Sequence, residues 1–423
     1  MSVISVVIPT KNRLPLLIFA LESVLNQKYP FMEIIIADNS DNEEILNYIA
    51  SIQDVRIKYY RTGSLSLQDN WQYGISKTEG EYVILLRDKV ALKSDSITLL
   101  SSILKSQNFP DWVSWGCDNI NPLTGHYSYQ KNGNYEIINI NTNDIIKSIG
   151  NGKWREIWDF IAPQESAIKK DLLIKIIEHP PNKLFFGAVG DIGLAYQLLI
   201  NTNTIIHVNG SLMTGLFPMN SIGYDCATRS PKFIAFLESG GYGINDCIKH
   251  VPLKFFSCLN STYNDLIEID SIRGVKIIEP MINLRSYYSM IYKEMIETLF
   301  FGNVQKKEIL QLESSIKELD PYLYDELIFK YQKIRKMYPL FNRVFCPLIA
   351  KGFFFPSQII NKIIDIHHTF KFLTKDQRKS LLLILVVLKR EERMKRLESF
   401  YSKTALKYLR SNNKISKIQE SFN

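Results

Sequence analysis

Apolar, β-branched runs alternate with helical patterns from the first residues onward. Ser2 to Pro9, Glu33 to Asp38, Val55 to Arg61 and Glu81 to Asp88 each concentrate Val, Ile, Leu or Tyr in a short run and predict strands. Between them, Leu14, Leu17, Ile18, Leu21, Val24 and Leu25 recur at helical spacing and predict a helix over Leu14 to Asn26. Ile97, Leu100 and Ile103 do the same for Ser94 to Ser106. Strand and helix alternating in this way make βαβαβ units, which imply a mostly parallel sheet. Ligands bind such sheets beyond the carboxyl ends of the strands. Those ends are polar here: Thr10, Asn12 and Arg13 follow the first strand, Asp38-Asn39-Ser40-Asp41 closes the second, and Arg87-Asp88-Lys89 closes the fourth. Three polar clusters are therefore expected to converge on one edge.

After a further strand at Trp112 to Cys117 the alternation stops. Asp118 to Gly152 is polar and rich in Asn and Gly, so turns are expected there, as an insertion on the acceptor side. An ordered block follows: Ile161 to Ser166, a helix near Lys170 to Glu178, the small-residue loop Phe185 to Asp191, and a helix running to about Asn201. From about residue 251 only helical patterns remain, which divides the chain into residues 1–250 and a mainly α-helical part, 251–423.

A length of 423 residues suggests two or three domains at roughly 150 residues each. With 46% hydrophobic and 22% charged residues, disorder is excluded. Five cysteines without a CxxC pair fit free thiols in a reducing compartment. The N-terminus has no basic region ahead of its apolar run and reads as a strand, not a secretory signal. No run approaches the roughly 20 apolar residues of a spanning helix, Leu381 to Leu388 being the best.

The net charge of +8 is unevenly placed. Residues 371–423 carry 14 Lys and Arg against 5 Asp and Glu, while the rest of the chain carries 37 against 38. A nucleic-acid enzyme would carry its basic stripe on the catalytic body, so no nucleic-acid partner is expected. In residues 381–417 an apolar run is followed by Lys389, Arg390, Arg393, Lys395 and Arg396, which suits an interfacial helix on an anionic cytoplasmic membrane face, with Phe353 to Phe355 joining such a patch. A buried helix with a solvated basic face is the other reading.

Several ordered signatures resemble the family 2 glycosyltransferases of the GT-A fold over roughly residues 1–240. VVIPTKNR is similar to that family's first strand, IIIADNSDNEE to the end of its second, and LSLQDNWQYGISKTEGEYVILL to the helix and fourth strand that lead to its DxD motif. The resemblance implies an α/β fold with a GT-A (Rossmann-like) mixed sheet flanked by helices. It also implies an enzyme that moves a sugar from a UDP-, GDP-, dTDP- or CMP-sugar to a glycan or lipid-linked glycan, in a setting such as bacterial surface polysaccharide (lipopolysaccharide or capsule) assembly. The expected location is cytoplasmic, or peripheral on the inner membrane.

By this resemblance Asp38 contacts the base, with Pro9 as an apolar wall and Thr10, Arg13 and Asn39 beside it. The same Asp38 cluster also reads as a turn and helix cap. Asp69 and Asn70 read either as caps of the helix they begin or as groups orienting Arg61 or the sugar-phosphate. Asp88 matches the family's first DxD carboxylate and would hold the ribose, and it is the one candidate metal ligand. Lys89 and Val90 stand where the Mg²⁺- or Mn²⁺-binding carboxylates would be, and a hard cation needs several oxygens. Metal-independent transfer is therefore expected, with Arg87 or Lys89 neutralising the leaving phosphate. A silent nucleotide-sugar or glycan-binding scaffold, or a Lys89 that points to solvent, is the alternative. Asp191 is the expected catalytic base, deprotonating the acceptor hydroxyl in an inverting displacement. It also reads as a helix N-cap.

Met219 to Gly223 resembles a family segment that closes over the site, and equally an ordinary loop. Cys247, His250 and Cys258 lack zinc spacing and a fourth partner, and His367-His368 sits in a helical stretch. No GxGxxG or GxSxG is present, which argues against a dinucleotide oxidoreductase and an α/β-hydrolase. Lys11-Asn12-Arg13 lacks the glycines of a nucleotidyltransferase loop.

Overall fold

The computed structural model describes residues 2–120, 127–128, 134–216, 225–226, 229–299 and 304–340. Met219 to Gly223, Phe353 to Phe355, His367-His368 and the basic tail 371–423 lie outside the described residues.

The N-terminal half follows the predicted alternation: β1 (Ile4–Thr10), α1 (Leu14–Leu25), β2 (Met32–Asp38), α2 (Glu44–Ala50), β3 (Ile57–Arg61), α3 (Leu67–Ser76), β4 (Tyr82–Leu85), β5 (Val90–Leu92) and α4 (Ser96–Ser106). The β1, β2, β3 and β4 pairings are parallel, with β1 between β2 and β4. All seven residues of β1 and of β2 are buried, as expected of strands covered on both faces. Their side chains alternate: Val7, Ile35, Val83 and Leu85 enter one core, and Val6, Ile8, Ile34, Ile36 and Ile84 the other, against α1 and α4.

The fourth predicted strand is shorter than its apolar run, because β4 ends at Leu85 and Arg87 to Val90 turn back, the Val90 N–H bonding the Arg87 carbonyl at 2.9 Å. Asp88 and Lys89 are turn residues as a result. Val55 is fully exposed and outside β3.

Beyond β6 (Trp112–Ile120) and the two-residue β7 (Tyr127–Ser128), the expected loop region contains β8 (Glu136–Asn141) and α5 (Thr142–Gly150), and α6 (Trp154–Ile161) follows it. The Asn-rich composition conceals them. Strand β8 is an edge strand with outward-facing polar residues, and α5 buries Ile145, Ile146 and Ile149 as a narrow apolar stripe between the buried Thr142 and Gly150. A 3-10 turn, Pro163–Glu165, leads into β9 (Ser166–Lys169), α7 (Lys170–Glu178), α8 (Gly190–Leu199) and the long β10 (Thr204–Leu216). Strand β9 lies antiparallel between β4 and β6, and β10 is parallel to β6 but antiparallel to β5 and β8. The sheet is therefore mixed, where the alternation alone predicted mostly parallel.

Among the described residues after 250 the long elements are helices: Cys258–Ile272, Leu284–Leu299, Lys306–Leu319 and Pro321–Leu340. One apolar cluster runs from Val7 and Val83 in the sheet through α5 to α8 to Tyr263, Tyr292, Leu312 and Leu327. These helices cover the sheet face opposite α1 and α4.

Candidate functional site

The three polar strand ends do converge, and hydrogen bonds show how. Asn12, held at φ 54, a left-handed conformation that Asn tolerates, donates through Nδ2 to Asp41 and accepts the Asp41 N–H through Oδ1, while its own N–H bonds Ser40 Oγ. That tie locks the end of β1 to the end of β2. Asn39 is buried and bonds both the carbonyl and the N–H of Leu65, which fixes the approach to α3.

Asp38 is fully buried. Its Oδ1 accepts the Ser40 N–H at 2.9 Å, and its Oδ2 accepts the Tyr59 hydroxyl at 2.7 Å. The turn-forming reading is thus present in the structure, with Tyr59 as an added partner. Pro9 sits beside Ala37, past the last β1 residue that pairs with β4. Thr10 and Arg13 face Asp88: Thr10 Oγ1 donates to it at 3.3 Å and Arg13 Nη1 at 3.4 Å. Burial pushes the Asp88 carboxyl above its ordinary range, and the charges of Arg13 and Lys89 pull against that. Lys89 is partly buried instead of solvent-pointing. Burial, then the neighbouring Arg87, lower it to about 8, which leaves it a cation at neutral pH that gives up its proton easily. Its carbonyl accepts the Leu216 N–H at 2.8 Å, so the end of β10 anchors this turn.

Arg87 is committed elsewhere. Its Nη2 is 2.8 Å from Glu165 Oε1, an ion pair with the carboxylate buried. Next to Glu165, Gln164 Nε2 donates to Asp191 Oδ2 at 3.0 Å. The 3-10 turn thereby connects Arg87, and through it Asp88 and Lys89, to Asp191. Gln164 and Glu165 were not singled out from sequence; a Pro followed by two polar residues ahead of a strand was their only signal.

Asp191 is the second residue of α8, whose N-cap is Val189, so it is not the cap. The loop before it is held from two sides. Gln68 Nε2 donates to the Gly187 carbonyl at 2.9 Å, and Asp265, from the Cys258–Ile272 helix, accepts the Val189 N–H at 3.2 Å. Burial pushes the Asp265 carboxyl up to about 8 despite that hydrogen bond.

Of the two readings of Asp69 and Asn70, the geometry supplies the local one. Asp69 pairs with Ser66, the N-cap of α3, and Asn70 is buried against the Ala37 carbonyl and the Thr62 hydroxyl. Arg61 instead bonds the Asn42 carbonyl at 3.0 Å and lies 3.7 Å from Glu43, so neither Asp69 nor Asn70 orients it. The turn at 87–90 offers one carboxylate beside two cations, and a hard cation needs several oxygen ligands. Asp88 already accepts from Thr10 and Arg13, with Lys89 beside it, and among the described residues no group of three or more His, Cys, Asp or Glu is placed to hold a metal.

The sequence model for Glycosyl transferase family 2 matches residues 5–177, the segment that contains β1 to β9 and the turns just described. That segment is thus similar to family 2 glycosyltransferase domains, and it holds nine of the ten strands of the mixed, helix-flanked sheet. Among curated proteins, the GalNAc(5)-diNAcBac-PP-undecaprenol beta-1,3-glucosyltransferase of Campylobacter jejuni is 33% identical over 104 residues, 23% of this chain and 33% of that protein. An uncharacterized glycosyltransferase of Rickettsia bellii is 29% identical over 129 residues, 30% of this chain and 17% of that protein. The chain thus spans a third or less of these relatives. The structure of S. aureus TarS 1-349 in complex with UDP-GlcNAc aligns over 80% of this chain and 91% of that one, at 13% identity and a TM-score of 0.42.

Proposed function

We propose that this protein is an inverting glycosyltransferase that uses a nucleotide-sugar donor without a divalent cation. The observation that carries the reading is the contact path from the phosphate-side turn to Asp191: Arg87 to Glu165, and the adjacent Gln164 to Asp191. The nucleotide lies over the ends of β1 and β2, with Asp88 at the ribose. Asp191 takes the proton of the acceptor hydroxyl as that oxygen bonds the anomeric carbon, and the anomeric carbon–phosphate oxygen bond breaks on the opposite face. Lys89 meets the charge that develops on the leaving phosphate, the part a metal plays in sites with more carboxylates.

A glycan or lipid-linked glycan acceptor, and a role in surface polysaccharide assembly at the cytoplasmic membrane face, are part of this proposal. They are supported by the polyprenol-diphosphate-linked acceptor in the name of the Campylobacter relative and by the basic tail. Among the described residues no helix is long and apolar enough to cross a membrane. If the tail binds membrane peripherally, the full chain floats with anionic liposomes at low salt and is released as salt rises; no flotation at low salt removes the membrane part of the reading.

Nucleotide release from UDP-, GDP-, dTDP- and CMP-sugars, with and without EDTA, tests the chemistry. Turnover on one donor that survives EDTA and collapses in Asp191→Asn and Lys89→Ala is expected. Nucleotide binding without turnover on any donor and acceptor would favour a silent binding scaffold.

A further inference from the structure

Two glutamines outside the polar strand ends set where Asp191 stands. Gln164 is only 3% exposed, and its Nε2 donates to Asp191 Oδ2 at 3.0 Å, while Asp191 Oδ1 accepts the Ile192 N–H at 3.0 Å. The turn that carries Gln164 is itself braced. The Glu165 N–H bonds the Ala162 carbonyl at 3.0 Å; Ser166 Oγ donates to the same carbonyl at 2.8 Å and accepts from Trp112 Nε1 at 2.9 Å. A carboxamide in that place orients a carboxylate without titrating, and it does not cancel the negative charge as Lys or Arg would.

The loop ahead of Asp191 is held from α3. Gln68 and Gln72 lie one helical turn apart on that helix and so share a face. Gln72 Oε1 accepts the Leu184 N–H at 2.9 Å, and Gln68 Nε2 donates to the Gly187 carbonyl at 2.9 Å. Beside them the Trp71 ring meets Phe185 edge-on, with the centroids 5.2 Å apart. Gly190, the first residue of α8, makes room for this clasp, because a Cβ there would lie 2.7 Å from both Cδ and Nε2 of Gln68. The α3 helix is tied in turn to the end of β2, where Asn70 Nδ2 donates to the Ala37 carbonyl at 3.0 Å. One helix therefore links the strand end proposed to carry the nucleotide to the loop that carries the proposed base.

We propose that Gln164 and Gln68 are positioning residues for Asp191: Gln164 aims the carboxylate, and Gln68, seated in the space that Gly190 leaves, holds the loop before it. The kinetic consequence rests on the glycosyltransferase reading; the hold on Asp191 does not. Misplacing a reacting group by about 1 Å costs roughly 100-fold in rate, so loss of either amide acts on kcat and leaves donor binding alone.

Steady-state kinetics of the full chain separate such a role from a structural one. Gln164→Leu and Gln68→Ala should each lower kcat by roughly 10- to 100-fold, with donor KM within about twofold of the native value. Gly190→Ala should lower kcat about as much as Gln68→Ala with little change in thermal midpoint, since its methyl displaces only the end of a flexible side chain. With Gln68→Ala already present that methyl has no amide to displace, so the double variant should lose no more than Gln68→Ala alone. The loss in Gln164→Leu combined with Asp191→Asn should be far smaller than the product of the two single losses, because the group that Gln164 aims is gone. A raised donor KM at constant kcat, or fully multiplicative losses in either pair, overturns the proposal. NMR spectra of the chain with isotope-labelled glutamine need no turnover. The Gln164 side-chain amide signal, identified by its loss in Gln164→Leu, should move as acid protonates Asp191 and should stay in place in Asp191→Asn; the Gln68 signal should move in Gly190→Ala. Signals indifferent to these changes overturn the hold on Asp191, whereas absence of nucleotide release from the native protein sinks only the glycosyltransferase reading.

Discussion

In the proposed reaction Lys89 is the cation that meets the leaving phosphate. A lysine lowered to about 8 by burial and Arg87 is charged at neutral pH and loses its charge as pH rises through that value. For the free enzyme, kcat/KM should therefore fall above about pH 8. In Lys89→Arg, which stays charged, that fall should disappear, and in Lys89→Ala kcat/KM should drop about 100-fold or more. A pH–rate profile of the three proteins checks this; the same alkaline fall in Lys89→Arg would reject the lysine. For Asp191→Asn, kcat should fall by roughly 10²- to 10⁴-fold with KM little changed, because the lost group acts on a proton in flight and not on ground-state binding. Steady-state kinetics at saturating acceptor separate the two parameters.

At the scale of elements, the start of α8 depends on a helix more than 60 positions away. Asp265 accepts the Val189 N–H, and a Cβ on Gly187, whose φ is +90, would lie 2.3 Å from the Asp265 carboxyl. Gly187→Ala should therefore destabilise the chain by about 2 kcal/mol or more through strain and overlap, and should lower kcat by displacing Asp191. The folded chain holds the Asp265 proton up to about pH 8, while the unfolded chain releases it near the ordinary 3.8. Folding takes up a proton between those values, so this group's contribution to stability falls as pH rises through them. Asp265→Asn, which is neutral and keeps an acceptor oxygen, should flatten that slope. Asp265→Ala, which also lacks the titrating group, leaves the Val189 N–H unmet and should cost about 1–3 kcal/mol at pH 5, less as pH rises. Urea titrations at pH 5, 7 and 9 distinguish the variants.

Among the described residues, one apolar cluster joins the sheet to the helices as far as Leu327. A chain ended at residue 250 would expose the α8 face that packs on Tyr263, Leu266 and Ile269, and should aggregate or unfold without cooperativity. A chain ended at 340 keeps that cluster and should melt in a single transition. Calorimetry of the two checks this, and a stable, cooperatively melting 1–250 fragment would show that the sheet does not need the helices.

How much of this was readable in advance differed from one element to the next. The β1, β2 and β3 strands and α1 carry their period in contiguous residues, so their type, and the polar strand ends that make the site, were legible in the chain itself. Strand β8 and helix α5 were not, because an edge strand and a narrow stripe show too few apolar positions among asparagines. The resemblance to family 2 glycosyltransferases also named Asp88, Lys89 and Asp191 from the sequence. It did not show that Arg87 is taken up by Glu165, that Gln164 holds Asp191, or that Asp265 supports the loop before it. Those pairs lie 27 to 78 positions apart in the chain. Local pattern records which faces are apolar, whereas the partner of a buried charge is decided only when the sheet and its covering helices bring distant segments together.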